Sequence, residues 1–118
     1  MLTLPIKKQW FDMILSGEKK EEYREIKPYY EKRFANAIME KGAMLESGGR
    51  LNEWLLTDVI FSLPIKFRNG YAAKSPCFVA DCRLKIGTGK PEWGAIPGQM
   101  YYVLQIHSFK EEGDGEDG

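Results

Sequence analysis

The segment SGEKKEEYREIK, residues 16–27, holds an ammonium, a carboxylate and a guanidinium within six positions: Lys19, Glu22 and Arg24. Brought together, these groups could recognise a nucleotide. Arg24 offers a planar fork of donors, Lys19 a point charge for phosphate or base acceptors, and Glu22 an acceptor for an exocyclic amine or a brace for the arginine. On an extended backbone Glu22 and Arg24 share a face, with about 6 to 7 Å between them along the chain. Lys19, three residues before Glu22, would point the other way in a regular strand. Convergence therefore requires Lys19 to sit in the turn after Gly17 or beside a bulge. The competing reading is structural: Glu18, Lys20, Glu21, Glu22, Arg24 and Glu25 form a solvated charged edge that discourages strand-to-strand aggregation.

Aromatic residues surround this segment. Tyr23, Tyr29 and Tyr30 either stack on a flat ligand or pack by their rings with the hydroxyls exposed. Trp93, beside the glycines of GAIPG, either stacks on a base at the mouth of a cleft or anchors the core. His107 has no cysteine or serine motif to make it a triad member and reads as a structural or surface histidine. Cys77 and Cys82 lie five apart in one strand, so they point to opposite faces and stay as two free thiols. No glycine-rich phosphate loop, dinucleotide fingerprint or metal-ligand spacing is present, so the expected cofactor and metal are none.

The elements that must position these groups follow from periodicity. Leu2, Leu4 and Ile6 alternate with Thr3 and Pro5, the period of a short strand. Trp10, Met13 and Ile14 predict a helix from Lys7 to Ser16, with Gly17 where a left-handed cap belongs. Lys19–Ile26 is one extended crossing between Gly17 and Pro28. A second helix runs from Pro28 to Lys41, with Tyr30, Phe34, Ala37, Ile38 and Lys41 along one stripe. Gly42–Asn52, with three glycines, reads as a loop or a lid. Three β-rich stretches follow: Trp54–Phe67, Cys77–Ile86 and Met100–Phe109. In the second of them Phe78, Ala80, Cys82, Leu84 and Ile86 make the core side.

The totals bound the answer. A chain of 118 residues, 43% apolar, with three tryptophans, six tyrosines and six phenylalanines, is sized for one packed domain. We expect that domain to span 1–109 and the acidic, glycine-rich 110–118 to be a disordered tail. No stretch is apolar enough for a membrane span and no signal peptide is evident, so the expected setting is cytoplasmic, with no membrane partner and a monomeric state. The formal charge is zero, yet residues 1–109 carry sixteen basic against twelve acidic side chains, a surplus of four. Such a body is not a polycation, which argues against extended duplex binding and leaves room for a focused site.

Gly17, Lys19, Glu22 and Arg24 spell G-x-K-x-x-E-x-R between a capped helix and an extended segment, and PEWGAIPGQMYYVLQI leads into the last strand. In these motifs and in the order of elements from Leu2 to Phe109, the chain resembles the ASCH family, in particular its small bacterial and phage-associated members. The resemblance implies an α+β fold: a PUA-like mixed β-barrel of five to six strands with two main flanking helices. It also implies a motif-lined cleft for RNA or a nucleotide-like ligand. With the flanking rings, the expected ligand-binding set is Gly17, Lys19, Glu22, Arg24, Tyr23 and Trp93.

The same family includes small amidohydrolases acting on acetylated cytidine, in which the motif lysine works with a threonine three residues later and a glutamate elsewhere. Lys19 matches, but Glu22 stands in the threonine's place. A catalytic lysine must be neutral near pH 7, and a neighbouring carboxylate favours its ammonium form instead. Arg24 pushes the other way, and a buried Glu22 could itself act as a general base. Lys19 and Glu22 are thus the catalytic candidates if the chain is an enzyme, and a binding module is the leading expectation. A third class, a protein-docking domain, would rest on the acidic tail or the charged segment.

Overall fold

Alternation of Leu2 and Leu4 with Thr3 and Pro5 gives the first strand, β1 (Leu2–Pro5), with the two leucines buried. The structure is a computed structural model that describes residues 1–40 and 50–110. Helix α1 (Lys8–Leu15) follows, its Phe11 and Ile14 buried and an exposed Lys8–Asp12 pair one turn apart on its surface. Next come β2 (Glu21–Glu25) and α2 (Pro28–Glu40). Pro28 opens α2, where its missing N–H removes nothing, and Phe34 and Ile38 bury the stripe.

Two expectations are corrected in the middle of the chain. Trp54 does not open a strand, because Leu51–Leu55 forms a short helix, α3. Glu53 accepts the backbone N–H of Arg50, which fixes the first turn, and Leu51 and Leu55 are buried. Leu51 and Asn52 therefore belong to a helix and not to the expected loop, while 41–49 lie outside the described residues. The strand begins only at Phe61, after a turn in which Asp58 takes φ 67°. The acidic segment 111–118 likewise lies outside the described residues.

Strands β3 (Phe61–Arg68), β4 (Cys77–Thr88) and β5 (Met100–Lys110) complete one five-stranded sheet in the order β1-β3-β4-β5-β2. β1 runs parallel to β3, and the remaining pairs are antiparallel. The architecture is α+β: a curled mixed sheet with three helices. Its concave face is filled by Leu4, Ile65, Phe67, Ala80, Cys82, Leu84, Tyr102 and Leu104 together with Phe34 and Ile38 of α2. The core side expected for β4 is thereby observed. A second cluster lies on the opposite face, where Ala95, Tyr101 and Val103 pack with Tyr23. Tyr101–Leu104 of β5 are consequently buried on both faces, because the segment between β4 and β5 folds over them.

Cys77 and Cys82 are both free, as expected. Cys77 is only half-buried, whereas burial, aided by Asp81 and Glu22, pushes the Cys82 thiol up to about 12. His107 is exposed at a register irregularity: Asp81 pairs with Ser108 and Cys82 with Ile106, which leaves His107 as the extra residue. It is no part of the cleft described below. Among the described residues no helix is long and apolar enough to cross a membrane, and no group of three or more His, Cys, Asp or Glu is placed to hold a metal ion.

Candidate functional site

The turn after α1 decides where Lys19 goes. Gly17 adopts φ 85°, and its N–H and that of Ser16 return to the carbonyls of Ile14 and Asp12. The Lys19 N–H then reaches the carbonyl of Met13 at 2.9 Å. The chain is thus turned back over the end of the helix before β2 begins, which is the irregularity that convergence required. Gly17 itself is exposed and does not line the cleft; it acts through the backbone.

From that turn the Lys19 side chain runs inward and is only 1% exposed. Its Nζ donates to the backbone carbonyl of Trp93 and lies 3.3 Å from Glu22 Oε1. It also sits 4.5 Å from the ring centre of Trp10 and 5.0 Å from that of Tyr23. Burial holds the Lys19 pKa below the usual lysine value; Glu22 pulls it upward and Arg24 adds to the lowering. The ammonium is enclosed by two π faces, one carbonyl and one carboxylate.

Glu22 shares a face of β2 with Arg24, as the two-residue spacing dictates. Its Oε2 accepts from Arg24 Nη2 at 2.7 Å and from Nε at 3.2 Å, so one carboxylate joins both cations. Glu22 is 8% and Arg24 10% exposed, which rules out a solvated charged edge for these two residues. Arg24 Nη2 also donates to the Pro5 carbonyl at 2.8 Å, and Nη1 lies 3.5 Å from the Tyr30 hydroxyl. The first contact matters for the fold as well as the site. β1 and β2 are the two edges of the curled sheet, and Arg24 clasps them where no backbone ladder joins them among the described residues.

Beside this clasp the seam opens into a cavity of about 530 Å³, lined by β1 and β2 residues with Trp10, Tyr30, Asn69 and Tyr71. A smaller one of about 180 Å³ adjoins it at Glu22 and Arg24, walled by Tyr23, Trp93 and Tyr101. Comparison with protein-family models, curated proteins and solved structures found no match for the chain. What the cleft can do follows from its own groups. A carboxylate has about four lone-pair sites, and three donors already occupy Glu22, so one acceptor position remains. Arg24 keeps donor capacity at Nη1. An acceptor beside a donor, between ring-lined walls, matches the hydrogen-bonding edge of a flat heterocycle.

Tyr23 and Trp93 enter mainly as enclosure. The Tyr23 hydroxyl donates to Glu21 Oε1 at 2.8 Å and accepts the Lys90 N–H at 2.9 Å, tying the segment before β5 down onto β2. Burial, opposed by that backbone donor, raises the Tyr23 phenol well above its usual pKa. Gly89 makes the close approach possible, since a Cβ there would lie 2.6 Å from the Tyr23 ring. Trp93 meets Lys19 through its carbonyl, while Lys90 Nζ lies 4.7 Å from the centre of its ring. Tyr29 is exposed and forms an edge-to-face pair with Tyr30.

Trp10, Asn69 and Tyr71 are among the lining residues that the sequence does not mark as site candidates. In the sequence Trp10 belongs to the apolar stripe of α1. Asn69 and Tyr71 come from the loop NGYAAKSP, and the Asn69 side chain donates to the Ile6 carbonyl at 3.0 Å. Tyr71 is 88% exposed. A lone aromatic ring in a loop of small residues was the available signal for it.

Proposed function

We propose that the chain is a nucleotide- or single-stranded RNA-binding domain of ASCH type, taking a base into the seam between β1 and β2. The observation that carries this reading is the buried Glu22–Arg24 pair, backed by Lys19, which lines one cavity together with Trp10, Tyr30 and Tyr71. Aromatic faces stack on bases at about 1–3 kcal/mol per base. The surplus of four positive charges over residues 1–109 favours a phosphate-bearing partner.

The alternative is hydrolysis of an acylated nucleoside by Lys19, and the lowered pKa of that ammonium is its one support. Against it stand the enclosure of Nζ and its engagement by Trp93 and Glu22. A nucleophile or base must reach the reacting atom, and this one is walled off. Binding is therefore the better reading.

The test is equilibrium binding of single-stranded oligoribonucleotides to wild type and to Tyr71→Ala, an exposed position whose loss leaves the core intact. Removing one stacking ring should weaken binding roughly 5- to 150-fold. Unchanged affinity in Tyr71→Ala, or no binding by wild type, would count against the proposal. In the same preparation, release of acetate from N4-acetylcytidine should equal the buffer blank.

A further inference from the structure

We infer that the cleft continues into a phosphate subsite built by Arg33 of α2 and Arg68 at the end of β3. This rests on the nucleotide-binding reading above and names the second half of the ligand. A cavity of about 320 Å³ holds both arginines and shares Pro5, Tyr30, Gly70 and Tyr71 with the ring-lined cavity, so the two form one groove.

Charge partners separate these two arginines from Arg24 and Arg50, and their place along the groove separates them from Arg83, which likewise has no ion pair among the described residues. Arg24 is paired with Glu22, Arg50 with Glu31 and Lys27 with Glu25. Among the described residues neither Arg33 nor Arg68 has an ion pair. Arg33 lies 4.7 Å over the Tyr29 ring, which orients its guanidinium without neutralising it. The Nε of Arg68 is buried with no hydrogen-bond partner, the one such side-chain atom among the described residues. Two guanidiniums without carboxylate partners along one groove favour an anion, and a phosphate, which a planar fork can hold by two hydrogen bonds, is the ligand group that fits them.

A base in the first cavity and a phosphate in the second describe a nucleotide bound lengthwise, either free or within an RNA chain. Neither guanidinium braces a carboxylate, so replacing both strands no charge in the fold. Their removal therefore separates ligand recognition from stability.

The experiment is isothermal titration of the full chain with the four common ribonucleosides and with their 5′-monophosphates, using wild type, Arg33→Ala and the Arg33→Ala/Arg68→Ala double variant. Monophosphates should bind about 10- to 100-fold tighter than nucleosides, and the double variant should erase that difference while nucleoside affinity stays unchanged. Arg33→Ala alone, at an exposed helix position, should erase part of it, which keeps the test valid if the double variant fails to fold. Nucleoside binding with no gain from the phosphate, or a gain that survives in the variants, would overturn the subsite and leave the base cleft standing. Absence of binding by nucleosides and monophosphates alike would overturn both. Oligouridylates of one to six residues bearing a 5′-phosphate then identify the source: affinity that climbs with length assigns RNA, and affinity that is highest for the mononucleotide assigns a free nucleotide.

Discussion

At Glu22 one carboxylate serves two cations, its Oε1 facing Lys19 and its Oε2 accepting from Nε and Nη2 of Arg24. With all three side chains nearly excluded from water, desolvation opposes their attraction, and the group holds only while each charge keeps its partner. Glu22→Gln preserves volume and removes the charge, leaving an ammonium and a guanidinium to repel each other in the interior. We expect a loss of about 3–5 kcal/mol, read by urea denaturation at pH 7. Adding Lys19→Met to that variant should restore part of the loss, because the stranded ammonium is gone. A Glu22→Gln variant as stable as wild type would show that the charges are solvated after all. Half of this arrangement was legible in the sequence: two-residue spacing put Glu22 and Arg24 on one face. The burial of Lys19 was not, because the carbonyl that receives it belongs to Trp93, 74 residues away.

Among the elements, the turn between α1 and β2 does most to place the site. Gly17 has open space where a Cβ would go, so the cost of Gly17→Ala comes from its left-handed backbone alone. That cost should be about 1–2 kcal/mol by chemical denaturation, with Gly17→Asn milder because asparagine tolerates this conformation. Equal stability of Ala, Asn and wild type would mean the turn relaxes without penalty. Helices α1 and α2 and the turn glycine were readable from stripes and caps, since these signals are local. α3 was hidden because its five residues are shorter than two helical turns and abut a glycine-rich stretch. Its apolar pair Trp54 and Leu55 reads as the start of β3 on periodicity alone. The covering segment before β5 was invisible for a different reason. Its contact with β2 depends on Gly89 passing within reach of the Tyr23 ring, and no periodicity encodes an approach between distant parts of the chain.

For the molecule as a whole, the functional proposal depends on how the sheet curls. Edges β1 and β2 approach without pairing, and Arg24 spans the gap to Pro5, so the place where the sheet is left open is also where its buried charges meet the surface. The helices and extended stretches of an α+β chain were legible from periodicity, whereas a mixed sheet was only what the family resemblance implies. The seam was not legible, because which strands end as edges depends on the crossover that inserts β3 between β1 and β4. Amide and indole chemical shifts recorded by NMR while single-stranded RNA is added report on occupancy of the seam itself. Saturable shifts at Trp10, Arg24, Tyr30 and Tyr71, on both sides of the seam, are the result predicted here. Shifts absent throughout, or confined to residues remote from the seam such as Arg83 and His107, would contradict it.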